Sequence, residues 1–404
     1  MTNLALEYFR SAPRYLGARS VGKRAPGLLS GPFAAIRLAT LPDAVVPDRP
    51  GWARVKTHLS GICGSDLSTI AGTNSFYFSP LVSLPFVPGH EVVGELLDDC
   101  EDLPTGTRVV LSSVLACAAR GEDPPCENCA TGQAGRCDRV TVGHLKPGLQ
   151  TGYCNETGGG WSRTFVAHRS QLFAVPDAMN VKQAVLVEPF ACAIHAALRA
   201  HVGKGDHVLI VGAGTVGTLT SIAVKLLTSA GRVTVAAKHQ RQRAAATLAG
   251  ADAVIRPEHA TKAIRRDARA VKLTPERGQE FLLGGVDVAI ESTGSRRGLD
   301  QALRSTRAGG RVVLSGIPQG ADLTPVWFRE LELVGAYAAA GDDTLPTGET
   351  KPTFEIAIEA AANLPILEQL VGATYPLDRW REAIDHAMGA GKLGTFKVAF
   401  APQE

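Results

Sequence analysis

Of everything in the 404-residue sequence, the run HVLIVGAGTVGTLTSIAVKLL from His207 most narrows what the chain can fold into. A β-branched stretch leads into Gly212-x-Gly214-x-x-Gly217 and then into a pattern suited to a helix. Each glycine has its own task. Gly212 permits a tight turn, Gly214 lets the backbone approach a pyrophosphate, and Gly217 lets the helix pack closely on the strand, with the pyrophosphate facing the helix N-terminus. A chain with 43 glycines could produce this spacing in an ordinary turn, so the context decides. Strand-like runs follow at 232–237 (RVTVAA), 251–255 (ADAVI), 286–293 (VDVAIEST) and 311–317 (RVVLSGI), separated by helix-like segments such as QRQRAAATLAG. That alternation predicts an α/β fold with a doubly wound parallel sheet, a Rossmann dinucleotide-binding domain over 190–336. Its candidate cofactor contacts are Gly212, Gly214, Thr215, Val216 and Gly217 at the turn and Thr293 after a later strand.

The end of the second strand bears on which dinucleotide binds. A carboxylate there accepts hydrogen bonds from a ribose 2′-hydroxyl, whereas basic groups suit a 2′-phosphate. Here the strand ends in Ala237-Lys238-His239-Gln240-Arg241-Gln242-Arg243, with no carboxylate. One cation at about 4 Å from a phosphate gains on the order of 4 kcal/mol near a protein surface, so NADP is favoured over NAD, with Lys238, His239 and Arg243 as its contacts. The alternative is that Arg241 and Arg243 lie on the solvated first turn of a helix.

Length and composition set outer limits. A chain of 404 residues with 45% apolar content can bury two cores, so two domains are expected. The 42 basic and 39 acidic residues leave a net charge of +3 with no basic tail or stripe, which makes nucleic acid an unexpected partner. The N-terminal stretch has no uninterrupted apolar segment, and the uncharged run from Val208 to Val224 holds too many glycines and threonines for a membrane span. A cytoplasmic, membrane-free protein is the expectation. Eight cysteines then read as metal ligands or buried thiols rather than a disulfide framework.

Three short pieces upstream carry the chemistry: Gly61-Ile62-Cys63-Gly64-Ser65-Asp66, Pro88-Gly89-His90-Glu91 and Val187-Glu188-Pro189. A thiolate, an imidazole and a carboxylate suit Zn²⁺, and three protein ligands leave a fourth position open. With the glycine turn, these pieces resemble the zinc-containing medium-chain dehydrogenase/reductase (alcohol dehydrogenase-like) family over nearly the whole chain, its polyol and threonine dehydrogenase branches above all. The resemblance implies a GroES-like, mostly β catalytic domain over 1–189 and 337–404, with the chemistry in the cleft between domains. It makes Cys63 and His90 ligands of a catalytic zinc, with Glu91 or Glu188 supplying the carboxylate. Ser65 falls where the family bonds the substrate oxygen and passes its proton outward, whereas Ser68 stands where many relatives continue that relay with histidine. Asp66 reads either as the group that orients the His90 ring or as a turn or helix cap. Lys397 occupies a basic position where relatives contact a cofactor phosphate, although a solvated lysine at a strand end explains it equally.

A second zinc site is suggested by Cys126, Cys129 and Cys137. The family's structural lobe uses four cysteines, and its spacing puts Asp123 where the first should stand. Cys117 is preferred if residues 118–125 loop outward, because sulfur matches the other three. The remaining alternative is a lobe that folds without metal. Cys100, Cys154 and Cys192 read as buried or incidental thiols, His195 as a satisfied core histidine, and Trp161 as packing near a cleft or belonging to a simple turn.

Together these features imply an oxidoreductase that moves a hydride between NADP(H) or NAD(H) and a small alcohol or carbonyl substrate: a secondary alcohol, a polyol or an amino alcohol. Relatives imply a homodimer or homotetramer. Thr73 to Pro85 and Gly341 to Pro352 are candidate pocket walls, and residues 374–389 are expected to form a closing helix of the first domain. The rival readings are a zinc-stabilised nucleotide-binding protein without turnover and a zinc-free quinone-type reductase. The set Cys63, Ser65, His90 and Glu91 weighs against both.

Overall fold

The computed structural model describes residues 2–22, 26–31 and 33–404. The chain divides into two compact units: residues 1–188, 340–342 and 354–404 form the first, and residues 189–339 with 343–353 the second. Residues 343–353, which the sequence reading grouped with the catalytic part, thus cluster with the second unit.

The second unit is built on six strands: β1 (His207–Val211), β2 (Arg232–Ala236), β3 (Ala253–Ile255), β4 (Val286–Glu291), β5 (Thr306–Leu314) and β6 (Glu332–Gly335). They pair in the order β3-β2-β1-β4-β5-β6, all parallel. The order reverses beside β1, where a doubly wound sheet opens a crevice at its strand ends. Buried valine, leucine and isoleucine fill β1, as a strand covered on both faces requires. The helices α1 (Thr215–Leu227) and α2 (Gln240–Leu248) follow β1 and β2. Strand β5 begins five residues before the apolar run at Arg311, since Thr306 pairs with Val286 ahead of a register shift and Gly309 takes a positive φ of 64°. An antiparallel hairpin of Val271–Leu273 and Phe281–Leu283, absent from the sequence reading, precedes β4.

In the first unit, the ten-residue strand Trp52–Gly61 is central. It pairs antiparallel with Val92–Leu96, with Thr164–His168 and, at its last residues, with Lys397–Phe400. Arg108–Leu111 and Leu172–Ala174 extend the sheet on one side, and Val371–Tyr375 extends it on the other. One core lies among Ala53, Val55, Leu96, Val109, Phe165 and Leu172. A second gathers Leu6, Phe86, Tyr153, Trp161, Trp380 and Phe400. The N-terminal hairpin of Thr2–Tyr8 and Ile36–Pro42 feeds Leu6 and Tyr8 into this second core, a role the sequence reading did not foresee. The expected closing helix at 374–389 is displaced: Thr374 and Tyr375 end a strand, Leu377–Arg379 make one tight turn, and the helix runs from Trp380 to Leu393. Pro376 accounts for the shift, because a proline drives the preceding residue to extended geometry. Among the described residues, no helix is long and apolar enough to cross a membrane.

The glycine turn shows why side chains are excluded. Gly212 has φ of 102°, and a Cβ there would lie 2.6 Å from Thr293 Cγ2. A Cβ on Gly217 would collide with the carbonyl oxygen of Gly212. Gly217→Ala is therefore expected to lower stability by about 1–3 kcal/mol and to weaken NADPH binding, read by denaturant unfolding and by titration of nicotinamide fluorescence. Unchanged values for both would contradict the close packing of α1 on β1.

Candidate functional site

The strand register assembles the first group of reactive side chains. Strand Trp52–Gly61 pairs with Val92–Leu96 so that Ser60 lies opposite Val92, and the Gly61 N–H donates to Glu91 O at 2.8 Å. Cys63 follows the first strand as the cap of the helix Gly64–Ile70, and His90 and Glu91 precede the second. The third strand, Lys397–Phe400, joins through the Ile62 N–H, which donates to Val398 O at 2.9 Å. Three segments distant in sequence therefore meet at one corner of the sheet.

There, ligand atoms of Cys63, His90 and Glu91 all lie within 4.8 Å of one another. His90 and Glu91 are buried, and Cys63 is partly so. Asp66 Oδ2 accepts the Cys63 N–H at 2.9 Å and its Oδ1 faces His90 Nδ1 at 3.5 Å, so both readings of Asp66, helix cap and ring orienter, describe it. His90 Nε2, on the other edge of the ring, lies 3.5 Å from Ser65 Oγ. Neither Asp66 Oδ1 nor His90 Nδ1 has a hydrogen-bond partner at ordinary distance although both are buried, so a small rotation of the ring would close the pair. Burial by itself would lower the basicity of His90, but the carboxylate of Asp66, the Cys63 thiol and Glu188 outweigh it and hold the imidazole well above its ordinary value. Burial raises the Asp66 carboxyl.

Lys397 is placed differently from a cofactor-phosphate contact. Its side chain is buried, with Nζ 2.6 and 2.5 Å from the two oxygens of Glu91 and 3.3 Å from Ile62 O. Burial opposes the ammonium, yet Glu91, with smaller contributions from Cys63 and Glu188, holds it above the ordinary lysine range. Gly61 must be a glycine here, since a Cβ would strike the Glu91 carboxylate. Glu188, buried in the first turn of the helix Val187–Arg199, lies near enough for its charge to reach both His90 and Lys397.

Two aromatic residues shape this corner: Trp161, read from the sequence as packing near a cleft or belonging to a simple turn, and Tyr153, which the sequence reading did not single out. Trp161, fully buried, donates its Nε1–H to Gly61 O at 3.3 Å and packs edge-on to Phe400, with ring centroids 5.0 Å apart. Tyr153, also buried, has its ring 6.1 Å from that of His90, and its hydroxyl meets Thr69 Oγ1 at 3.3 Å. Burial drives the Tyr153 phenol well above its ordinary range, so it stays protonated. Aromatic residues near glycines are too common for Tyr153 to stand out in one sequence.

A second group lies in the lobe at 117–137. Ligand atoms of Cys117, Cys126, Cys129 and Cys137 fall within 4.8 Å of one another, and Asp123 is outside the group. Cys117 Sγ is 3.6 Å from Cys137 Sγ, and the backbone N–H groups of Cys126 and Arg139 point at Cys117 and Cys137 sulfur, at 3.3 and 3.4 Å. Residues 118–125 loop outward through a short helix, Cys117–Arg120, capped by Gly121 at φ of 67°. Arg120, wholly buried, holds this loop by donating to the carbonyls of Leu115, Val142, Leu145, Lys146 and Gly148. Burial would raise the Cys126 thiol, but the N–H groups of Asp138 and Cys129 bring it down to about 7. The same burial pushes Cys137 up to about 11 and Cys129 higher still. Four crowded sulfurs with backbone donors aimed at them suit a tetrahedral cation that favours thiolates.

In the second unit, Gly214 caps α1, and the space a Cβ would enter is open, as a phosphate cradle requires. Thr215 and Val216 begin that helix. Thr293 Oγ1 is engaged by Glu291 and Ser295, and the Thr293 methyl lies over Gly212. Past β2, Lys238 is exposed, His239 caps α2, and the Arg243 guanidinium donates to Lys238 O at 2.8 Å. His195 is satisfied by Asp343 at 2.7 Å. Cys100 and Cys154 are buried thiols that donate to the carbonyls of Gly51 and Lys146.

Comparison with known proteins fits both units. The alcohol dehydrogenase GroES-like domain family matches residues 49–177, and the zinc-binding dehydrogenase family matches residues 215–351. An L-idonate 5-dehydrogenase of Vitis vinifera is 31% identical over 294 residues, covering 71% of this chain and 74% of that protein. A sorbitol dehydrogenase of Bacillus subtilis is 28% identical over 364 residues, covering 87% and 90%. The crystal structure of a 2R,3R-butanediol dehydrogenase from Bacillus subtilis superposes with a TM-score of 0.71 at 21% identity, covering 99% of each chain. The chain therefore belongs to the zinc-containing, alcohol dehydrogenase-like family of medium-chain dehydrogenases/reductases.

Proposed function

We propose that this protein is a zinc-dependent oxidoreductase that exchanges a hydride between NADP(H), in preference to NAD(H), and a secondary alcohol, polyol or amino alcohol or its carbonyl counterpart. The observation that carries the reading is the meeting of Cys63, His90 and Glu91 within 4.8 Å in a chain that also bears the bare-backbone turn at Gly214. In this reading the first unit is the catalytic domain, and the second is the dinucleotide-binding domain.

Cys63, His90 and a carboxylate, Glu91 or Glu188, hold the catalytic zinc; Cys117, Cys126, Cys129 and Cys137 hold a structural one. Zinc supplies Lewis acidity toward an alcohol or carbonyl oxygen, and the nicotinamide exchanges the two-electron hydride. The chain's own residues prepare the rest. Asp66 faces Nδ1 of His90 and so leaves Nε2, on the Ser65 side, to the metal. Lys397 neutralises Glu91 and limits the negative charge gathered around the cation. Ser65 accepts the hydrogen bond of the substrate hydroxyl. Thr215, Val216 and the Gly214 backbone receive the pyrophosphate at the helix N-terminus, with Thr293 beside the turn.

Lys238, His239 and Arg243 form the 2′-phosphate site. This preference is supported by the absence of any carboxylate from 237–243 and by the convergence of Arg243 on the Lys238 carbonyl. A homodimer or homotetramer is supported by the edge position of β6 and by Trp327 and Phe328 in the short helix Thr324–Phe328 before it, 80% and 63% exposed. Eight cysteines without a disulfide are in keeping with the reducing cytoplasm.

Metal analysis of the purified protein is expected to find two zinc ions per chain. Cys63→Ser is expected to abolish turnover in a screen of alcohols, polyols, amino alcohols and aldehydes while leaving NADPH binding within about twofold of wild type; retained turnover would reject catalytic zinc. Lys238→Ala is expected to raise the KM for NADP about tenfold, equivalent to about 1.4 kcal/mol, with little change for NAD. Equal or better efficiency of the wild type with NAD would overturn the cofactor preference.

A further inference from the structure

The register between β1 and β4 brings a buried carboxylate to the rim of the glycine turn. Glu291, the last residue of β4, pairs with Val211, the last of β1, and the Ser292 N–H donates to Val211 O at 3.0 Å. Gly212 on one strand and Thr293 on the other therefore meet just beyond the sheet. The fully buried Glu291 carboxylate collects the donors of the loop that follows it. One oxygen accepts the Thr293 N–H at 2.8 Å and the Thr293 O–H, and the other accepts the Gly294 N–H at 3.0 Å. Burial raises the Glu291 carboxyl above its ordinary value, while the N–H groups of Thr293, Gly294 and Ser295 act against that rise. The helix Arg296–Ser305 also starts against the carboxylate, so closely that a Cβ on Gly298 would collide with it and with Thr293 Oγ1. A helix N-terminus favours the ionised form, which only accepts. The lone pairs of Thr293 Oγ1 are taken on its other side, by the Ser295 N–H at 3.1 Å and the Ser295 hydroxyl at 2.7 Å, while Ser295 Oγ in turn accepts the Gly298 N–H at 3.0 Å. Thr293 is exposed, yet its hydroxyl has given its one proton and filled both lone pairs. What it presents to Gly212 is its methyl group: a Cβ on Gly212 would lie 2.6 Å from Thr293 Cγ2.

We propose that Thr293 serves the bound dinucleotide through its methyl group and not its hydroxyl, and that Glu291 is the positioning residue that turns it this way. The inference deepens the dinucleotide-binding reading and rests on it. Gly212, at φ of 102°, has no side chain of its own to hold the turn, and the Thr293 methyl fills the space such a side chain would take. A methyl fixed there offers apolar surface to the nucleotide and keeps water from the back of the turn. A hydroxyl in the same place would bind water or hold the cofactor by a hydrogen bond. The turn serves the pyrophosphate, which NADP and NAD share, so the contact acts on both cofactors alike. In this it differs from Lys238, whose charge distinguishes them.

Fluorescence titration of the purified protein with NADPH and with NADH reads the two halves of Thr293 separately. Thr293→Ser keeps the hydroxyl and its partners but removes the methyl, and is expected to raise Kd for both cofactors about fourfold, the effect of one buried methyl group. Thr293→Val keeps the methyl and removes the hydroxyl, and is expected to bind both cofactors within about twofold of wild type. A hydroxyl bonded to the cofactor would give the reverse ranking. Glu291→Gln sets an amide donor against the loop N–H groups and releases the Thr293 hydroxyl. It is expected to raise both Kd values about fourfold, to leave KM for the alcohol within about twofold, and to show Thr293 in a different or mixed rotamer in crystals. A Val variant that binds no better than the Ser variant, or a loss confined to one cofactor, would overturn the proposal. Should Glu291→Gln fail to fold, the exposed Thr293 pair decides by the same ranking. A wild type that binds neither NADPH nor NADH would fail the dinucleotide reading instead, and unliganded crystals of the Glu291 variant would still show whether the carboxylate sets the Thr293 rotamer.

Discussion

The candidate centre depends on the register of one strand. Trp52–Gly61 is held on one side by Val92–Leu96 and at its end by Lys397–Phe400, and this double pairing sets Cys63, His90, Glu91 and Lys397 side by side at a common corner. A slip of one residue in this strand would carry Cys63 out of register with His90, Glu91 and Lys397. The register is protected by features with no chemical role. Gly61 leaves room for the Glu91 carboxylate, Gly89 adopts φ of 99° where a Cβ would lie against Ser60 and Trp161, and the Trp161 indole is bonded to the Gly61 carbonyl. Removing these groups would disturb the centre without touching a ligand.

That corner also gathers more ionisable groups than a buried site ordinarily tolerates. Glu91, Asp66, His90 and Lys397 are all buried, and Glu188 stands nearby. A buried charge without a partner is strongly unfavourable, and here the buried Glu91 carboxylate and Lys397 ammonium face each other at 2.5 Å. The same pairing bears on the metal. Beside that ion pair stand a thiol, Cys63, and an imidazole, His90, donors suited to a divalent cation. The cysteine lobe differs: four sulfurs, three of them well buried, close around a point and leave no position for a reactant.

Much of this was legible in the sequence where local chemistry dictates the outcome. The three glycines from 212 to 217 fixed a strand, turn and helix because each position has a steric reason to lack a side chain. Cys117 could be chosen over Asp123 because a loop of eight residues can bulge while a sulfur cannot be replaced in kind, and the structure gathers Cys117 with the other three thiols. What escaped depends on contacts across long sequence distances. Lys397 lies 306 residues from Glu91, and nothing near it in sequence shows that it turns inward to a carboxylate. Tyr153 meets Thr69 across 84 residues, and the N-terminal hairpin packs into a core shared with Phe86, Trp161 and Trp380, all far away in sequence. The displaced helix at 380–393 is different in kind, because its late start follows from Pro376, a signal local to the sequence.

The central claim is that Cys63 and His90 grip one catalytic cation. Diffraction data collected on either side of the zinc absorption edge test it most directly. The account predicts an anomalous peak about 2.3 Å from Cys63 Sγ and about 2.0–2.1 Å from His90 Nε2, distinct from any peak among the four cysteines of the lobe. A loaded lobe with no anomalous peak at Cys63 and His90 in zinc-saturated crystals would contradict it.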